Sequence, residues 1–183
     1  MPLPKPDQRY TYQDYLTWND DERWEIIDGY VYNMSPGPNT RHQRILKNIF
    51  ELLISKLKGH VCELFIAPYD VLLSDCDIVQ PDLFIVCDPK IITENNIQGA
   101  PTVVIEILSP STSKKDRIYK RNLYERSGVK EFLLVDPEDR YVECHRLGKD
   151  KQFKKSDYYT EDDELVFKSV KDLMISVSDI FAD

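Results

Sequence analysis

No part of this chain approaches the roughly 20 consecutive apolar residues that a membrane-spanning helix requires, so no membrane segment is expected. The N-terminal Met1-Pro2-Leu3-Pro4-Lys5-Pro6 has no apolar run. A signal peptide is therefore not expected, and a cytoplasmic protein is. Cysteine is sparse: Cys62, Cys76, Cys87 and Cys144 include no pair two residues apart, and no histidine pair stands nearby at zinc-ligand spacing. Four free thiols in a reducing compartment are the expectation. There is no Gly-rich phosphate loop, no nucleophile elbow and no Cys–His pairing signal. These absences argue against structural zinc, Walker-type nucleotide binding and serine or cysteine hydrolysis.

Basic charge is also in deficit. The net charge of −8 taken alone argues against nucleic acid, which favours basic proteins. The charge is unevenly distributed, however. Residues 37–60 hold five basic residues and one acid, and residues 114–130 hold seven against two. These segments carry +4 and +5, leaving −17 for the rest. Two basic helices on an acidic body suit a phosphate-bearing substrate, and they equally describe two solvated helix faces.

What is present reads as one α/β domain spanning residues 1–183, with a core over about 10–147 and peripheral strands and a helix over 148–183. Thr11 and Asp14 form a capping-box pattern that opens a short helix to about Trp18. Asp28-Gly29 marks a hairpin within residues 22–34, ended by Pro36-Gly37-Pro38. Asn39 or Thr40 caps a long helix ending near Lys58, with Gly59 as its stop. Leu46, Ile49, Phe50, Leu53 and Leu57 make its apolar stripe, and His42 lies one turn earlier on the same stripe. Strands are expected at 61–66, 69–73, 78–86, 102–108, 131–135 and 141–147, with a loop at 93–101. Ser111 or Ser113 caps a helix running to Ser127, closed by Gly128. The strand at 102–108, this helix and the strand at 131–135 form a βαβ unit with parallel pairing.

Chemistry concentrates in two strands. Val103, Ile105 and Ile107 share one face of the 102–108 strand; Val104, Glu106 and Leu108 share the other. Glu106 is a lone charge among apolar residues, costly unless paired or metal-bound. Asp82 poses the same problem within Val79-Gln80-Pro81-Asp82-Leu83-Phe84-Ile85-Val86. Either carboxylate alone reads as a partner for an amide or a lysine; the two together read as a site. Carboxylates about 4–5 Å apart across adjacent strands are hard oxygen ligands. They suit Mg²⁺ or Mn²⁺, which meets the requirement of phosphodiester hydrolysis.

Pro81-Asp82 followed 24 residues later by Glu106-Ile107-Leu108 resembles the PD-(D/E)XK nuclease signature. More of the chain is similar to the Uma-type family of proposed restriction endonucleases. The resemblance is carried by Glu25-Ile26-Ile27-Asp28-Gly29, His42, Gln80-Pro81-Asp82, the run from Ala100 to Thr112, Asp116, Lys120, Tyr124, and Gly128-Val129-Lys130-Glu131-Phe132 through Asp136-Pro137. It implies a restriction-endonuclease-like mixed sheet flanked by helices with added β-hairpins, and a divalent-metal site; the family's biological substrate is generally unknown, and DNA is the expected one here. Homodimer formation is also expected. The parent signature places Lys two residues after the Glu, where this chain has Leu108.

Lys120, on the following helix, is the candidate substitute. The competing reading of Lys120 is an ordinary i, i+4 surface pair with Asp116. Asp82 and Glu106, helped by the carbonyl of Ile107, are the expected metal ligands. Glu25 is a candidate third carboxylate or a solvent-facing strand residue. His42 is a candidate phosphate contact or proton carrier, or a satisfied buried histidine. The functional expectation is a metal-dependent endonuclease; the alternative is a non-catalytic nucleic-acid-binding or regulatory protein that keeps the fold.

Overall fold

The computed structural model describes residues 7–18, 22–34, 37–109 and 114–182. The expected hairpin end at Pro36 and the helix caps at Ser111 and Ser113 lie outside the described residues.

Helix α1 (Tyr12–Tyr15) opens on Thr11, whose side chain and that of Asp14 satisfy each other's backbone N–H in a capping box. It ends three residues before the expected Trp18, which joins Tyr10, Tyr15 and Trp24 in edge-on ring contacts. Strands β1 (Trp24–Ile27) and β2 (Tyr30–Asn33) form the expected hairpin. Asp28 and Gly29 both have positive φ, 54° and 78°, as a two-residue I′ connection requires. The 18-residue α2 (Thr40–Leu57) is capped by Asn39, whose side chain accepts from the N–H of His42.

A six-stranded sheet runs in the order β11 (Asp157–Tyr159), β10 (Tyr141–Arg146), β9 (Glu131–Asp136), β8 (Val103–Ile107), β6 (Leu83–Val86) and β3 (Glu63–Ile66). Among these pairs β8–β9 is parallel, joined by the π-helical turn Lys115–Lys120 and α3 (Arg121–Ser127) as a crossover. A five-stranded sheet runs β2, β1, β5 (Asp77–Val79), β4 (Val71–Ser74) and β7 (Ile97–Gln98). The expected single strand at 78–86 is two strands in different sheets. Pro81 has no N–H to give a ladder, and Gln80-Pro81-Asp82 is where the chain crosses from one sheet to the other. The expected loop at 93–101 contains β7, which pairs parallel with β4.

The faces of β8 separate two cores. Val103, Ile105 and Ile107 pack with Ile45, Ile49 and Leu53 of α2. Val104 and Leu108 pack with Leu123 and Tyr124 of α3 and with Ile27, Val71 and Val79 of the second sheet. Glu106 therefore points into the layer between the two sheets. The segment after Gly148, expected at the periphery, adds β12 (Glu164–Val166), β13 (Met174–Ser176) and α4 (Val177–Ile180). Leu165, Phe167, Ile175 and Ile180 are buried in the α2 core.

Cys62 and Cys87 form a disulfide, which corrects the expectation of four free thiols; Cys76 and Cys144 are free. The reason is register: Glu63 pairs with Val86, so residues 62 and 87 stand opposed at a Cα separation of 4.0 Å. No described helix is long and apolar enough to cross a membrane.

The hairpin turn can be tested directly. A Cβ at Gly29 would lie 2.9 Å from Cδ of Arg9 on a backbone of positive φ. Gly29→Ala should cost about 1–3 kcal/mol of stability, read as a lower urea midpoint with an unchanged slope. An unchanged midpoint would show that the turn is not held in this conformation.

Candidate functional site

The layer between the sheets holds a cluster of charges. Glu25, on β1, is fully buried, so the solvent-facing reading is wrong. Strand β1 is buried along its whole length, and alternation there separates two interiors rather than interior from water. Lys120 is 1% exposed, so the surface-pair reading is also wrong. Its Nζ lies 2.7 Å from Oε1 of Glu25 and 2.8 Å from Oε1 of Glu106, with Asp116 Oδ1 at 3.9 Å. Tyr124 donates its hydroxyl to the same Glu106 oxygen at 2.8 Å.

Lys115, not singled out in the sequence, donates to Oε2 of Glu25 at 2.8 Å. The π-helical turn explains both the contact and why it was missed. Residues five apart diverge around an α-helix, whereas in a turn closed by i→i+5 bonds they return to one side. Lys115 and Lys120 thus hold the two oxygens of one carboxylate. The N–H of Gln80, in the crossing between the sheets, also donates to Glu25 at 3.0 Å.

Asp82 immediately precedes β6. Leu83 pairs with Ile105 in an antiparallel ladder, so the next register position sets Asp82 across from Glu106. Its Oδ2 accepts from the N–H of Ile107 at 2.8 Å and lies 3.1 Å from Nε2 of His42. His42 is buried near the start of α2, and its Nδ1 has no hydrogen-bond partner among the described residues. Asp82, Glu106, Ile107, Lys120 and His42 line one cavity of roughly 420 Å³, together with Lys115, Asp116 and Arg23. Glu25 does not line it but lies directly behind Lys115 and Lys120.

The electrostatics follow from one lysine being shared. Burial works against the charge on Glu25, but the ammonium groups of Lys120 and Lys115 outweigh it and hold this carboxyl down at about 2. Glu106 is pushed up to about 8: burial is the largest cause, Lys120 opposes it, and the charges of Asp116, Asp82 and Glu25 add to it. Burial also works against the Lys120 ammonium, yet Glu106 and Glu25 keep it charged well above its ordinary range.

Among the described residues no group of three or more His, Cys, Asp or Glu side chains is arranged as a metal cage. The donor set that does exist fits a hard cation held partly by water. The hydrogen bonds to Glu106 fall on Oε1 and those to Asp82 on Oδ2. One oxygen of each carboxylate is thus left without a hydrogen bond to a described residue. Among the described residues Lys120 is shared by Glu25, Glu106 and Asp116, Glu25 also holds Lys115, and burial together with the neighbouring acids favours the neutral form of Glu106. A divalent ion held there would add positive charge beside these carboxylates, and Mg²⁺ keeps several waters of its own.

Fold and site together define an α/β protein with a buried acid–lysine centre between a mixed sheet and its crossover helix. The chain belongs to the Uma2 family, described as "Putative restriction endonuclease", whose profile matches residues 12–178. It is 27% identical over 169 residues to an uncharacterized protein of Synechocystis, covering 90% of this chain and 88% of that one. A crystal structure from Anabaena variabilis, described as a "putative nuclease", shares the fold with a TM-score of 0.79 at 22% identity. That likeness covers 93% of this chain and 97% of the other.

Removing the shared lysine should be costly. Lys120→Met leaves Glu25 short of one of its two cations in a dry layer, and should destabilise by about 3–5 kcal/mol. Adding Glu25→Gln should recover much of that loss in denaturant unfolding; a double variant no better than the single would place the cost elsewhere. The pH dependence carries the same signature. The Glu25 carboxyl sits below its ordinary value of 4.5, so on acidification the unfolded chain takes up the proton first. Its contribution is complete above pH 4.5 and lost as pH falls toward about 2. Glu25→Gln should flatten that limb of the stability–pH curve.

Proposed function

We propose that this protein is a metal-dependent endonuclease that hydrolyses phosphodiester bonds in DNA. The observation that carries the reading is the pair of carboxylates, Asp82 and Glu106, lining one cavity with the Lys120 ammonium bonded to Glu106. Asp82 and Glu106, with the carbonyl of Ile107, would hold Mg²⁺ or Mn²⁺. When bound, such an ion lowers the pKa of a coordinated water and neutralises charge on a phosphate oxygen.

The remaining work belongs to the chain's own residues. The N–H of Ile107 orients Asp82, and His42 steadies it from the side of α2. Lys120 stays charged through the reaction because Glu25 and Glu106 hold its proton on, so it stabilises negative charge developing on the phosphate. Glu25 does not contact substrate; with Lys115 it fixes where the Lys120 ammonium points. The basic residues of α2 and of the 114–130 segment supply attraction for the polyanion that the acidic body lacks. A homodimer, which would give one site per DNA strand, is the proposed assembly.

A specific observation also favours a second reading, a regulatory or nucleic-acid-binding protein without catalysis: Lys120 is already engaged by two carboxylates, and position 108 is leucine. One experiment decides between them. With Mg²⁺ or Mn²⁺ at low salt the protein should nick plasmid DNA, chelator should stop it, and Glu106→Gln should lower the rate on the order of 100-fold or more while the fold is kept. Calorimetry should detect Mn²⁺ binding that Glu106→Gln weakens. Undiminished cleavage by this variant would move the chemistry to another site. No cleavage of DNA or RNA, with no Mn²⁺ binding, would favour the regulatory reading.

A further inference from the structure

We infer that the face of β2 shared by Tyr30 and Tyr32, together with Tyr119 on the π-helical turn, is a stacking platform for unpaired nucleotides leading into the acid–lysine cavity. The inference deepens the nuclease reading and rests on it: it assigns the substrate class as single-stranded or locally opened polynucleotide.

The geometry begins at Glu25. In the β1–β2 ladder Glu25 stands opposite Tyr32 and Ile27 opposite Tyr30. Residues directly opposed in an antiparallel pair project from the same face, and positions two apart on a strand share a face. Tyr30 and Tyr32 therefore lie on the side of the hairpin that holds Glu25, and β2 is the edge strand of its sheet. Lys115, which lines the cavity and bonds Glu25, has its Nζ 5.9 Å from the centre of the Tyr32 ring. The Tyr119 ring lies 6.1 Å beyond Tyr32, inclined by 38° to it. At the far end the Arg9 guanidinium stands 4.2 Å over the ring of Tyr30. Tyr30 is 40% exposed and Tyr119 43% exposed.

Single exposed aromatics are ordinary on a protein surface. Here Tyr30 and Tyr32 share one strand face, Tyr119 stands against Tyr32, and cations stand over Tyr30 and Tyr32, the second of them, Lys115, lining the cavity; these rings are not scattered. Every base offers a π-face, and sequence-tolerant single-strand binders combine such rings with cations that track the phosphates. The exposed Arg9 at the Tyr30 end matches a polyanion and not an apolar protein partner. A duplex keeps its base faces inside its own stack and cannot use the rings.

The test measures binding of a fluorescently labelled oligodeoxythymidine of about 12 nucleotides, its duplex with oligodeoxyadenosine, and an abasic strand of equal length. Chelator is present so that nothing is cut. The based single strand should bind more tightly than the duplex or the abasic strand. Tyr119→Ala, at an exposed position, should weaken it about 10-fold, with Tyr119→Phe restoring affinity. Tyr32→Ala should act in the same direction, and thermal melting checks its fold. Equal affinity for based and abasic strands, or Tyr119→Ala without effect, overturns the platform. Loss of self-association in Tyr119→Ala, with nucleotide binding intact, overturns it in favour of a second copy of the chain as occupant. The two readings fail separately. Metal-dependent cleavage of duplex unaltered by Tyr119→Ala would leave the nuclease and remove the platform. Ring-dependent binding without any cleavage would leave the platform and remove the nuclease.

Discussion

The buried ammonium of Lys120 sits where three parts of the chain meet. Glu25 comes from the five-stranded sheet, Glu106 from the six-stranded sheet, and Lys120 from the crossover that joins β8 to β9. All three side chains are removed from water, so none is stable without the others. Hydrophobic burial on either side of the main sheet is non-directional and would tolerate small shifts between layers. The ion triad does not, because its distances near 2.8 Å set the second sheet and the crossover against one point on β8.

One positive charge shared between two carboxylates leaves them in different states. Glu25 also holds Lys115, and its carboxyl is held down; burial and three further acids push the Glu106 carboxyl up. Environment rather than residue type thus separates the two carboxyls. The π-helical turn makes this division possible by bringing Lys115 and Lys120 to the same side, and Arg117 anchors the turn on Glu143, Asp136 and Tyr141. A turn of this kind costs regular helix geometry and is common where side chains must converge.

Position 108 holds a leucine that packs with Tyr124 and Phe132 in the core between the sheets. The strand contributes one charge to that layer and otherwise apolar surface. The acidic surplus of the whole chain is accordingly not spread through the interior. Inside, carboxylates are met by lysines or arginines, as at Glu131 with Arg146 and Glu143 with Arg117. The basic residues of α2 and the crossover segment remain the sequence's concentrations of positive charge.

Local physics made much of this legible in the sequence. The Thr11–Asp14 box, the Asp28-Gly29 turn, the Asn39 cap and the parallel β8–β9 unit each depend on residues close in the chain or on a strong period, and each appears where expected. The isolation of Glu106 and Asp82 among apolar residues marked them from composition alone, since a buried charge without a partner is prohibitive. What the sequence left open depended on partners far away. Glu25 has apolar neighbours on both sides of a four-residue strand buried throughout, so periodicity could not orient it. Lys115 reaches Glu25 from a π-helical turn, which an i, i+3, i+4 pattern does not anticipate. The Cys62–Cys87 bond needs the β3–β6 register, and the break at Pro81 needs two sheets to exist. The sequence by itself determined the elements, the cores' faces and the acids to watch. Only the tertiary structure decided which lysine answers which acid, because a charge chooses its partner by distance in space.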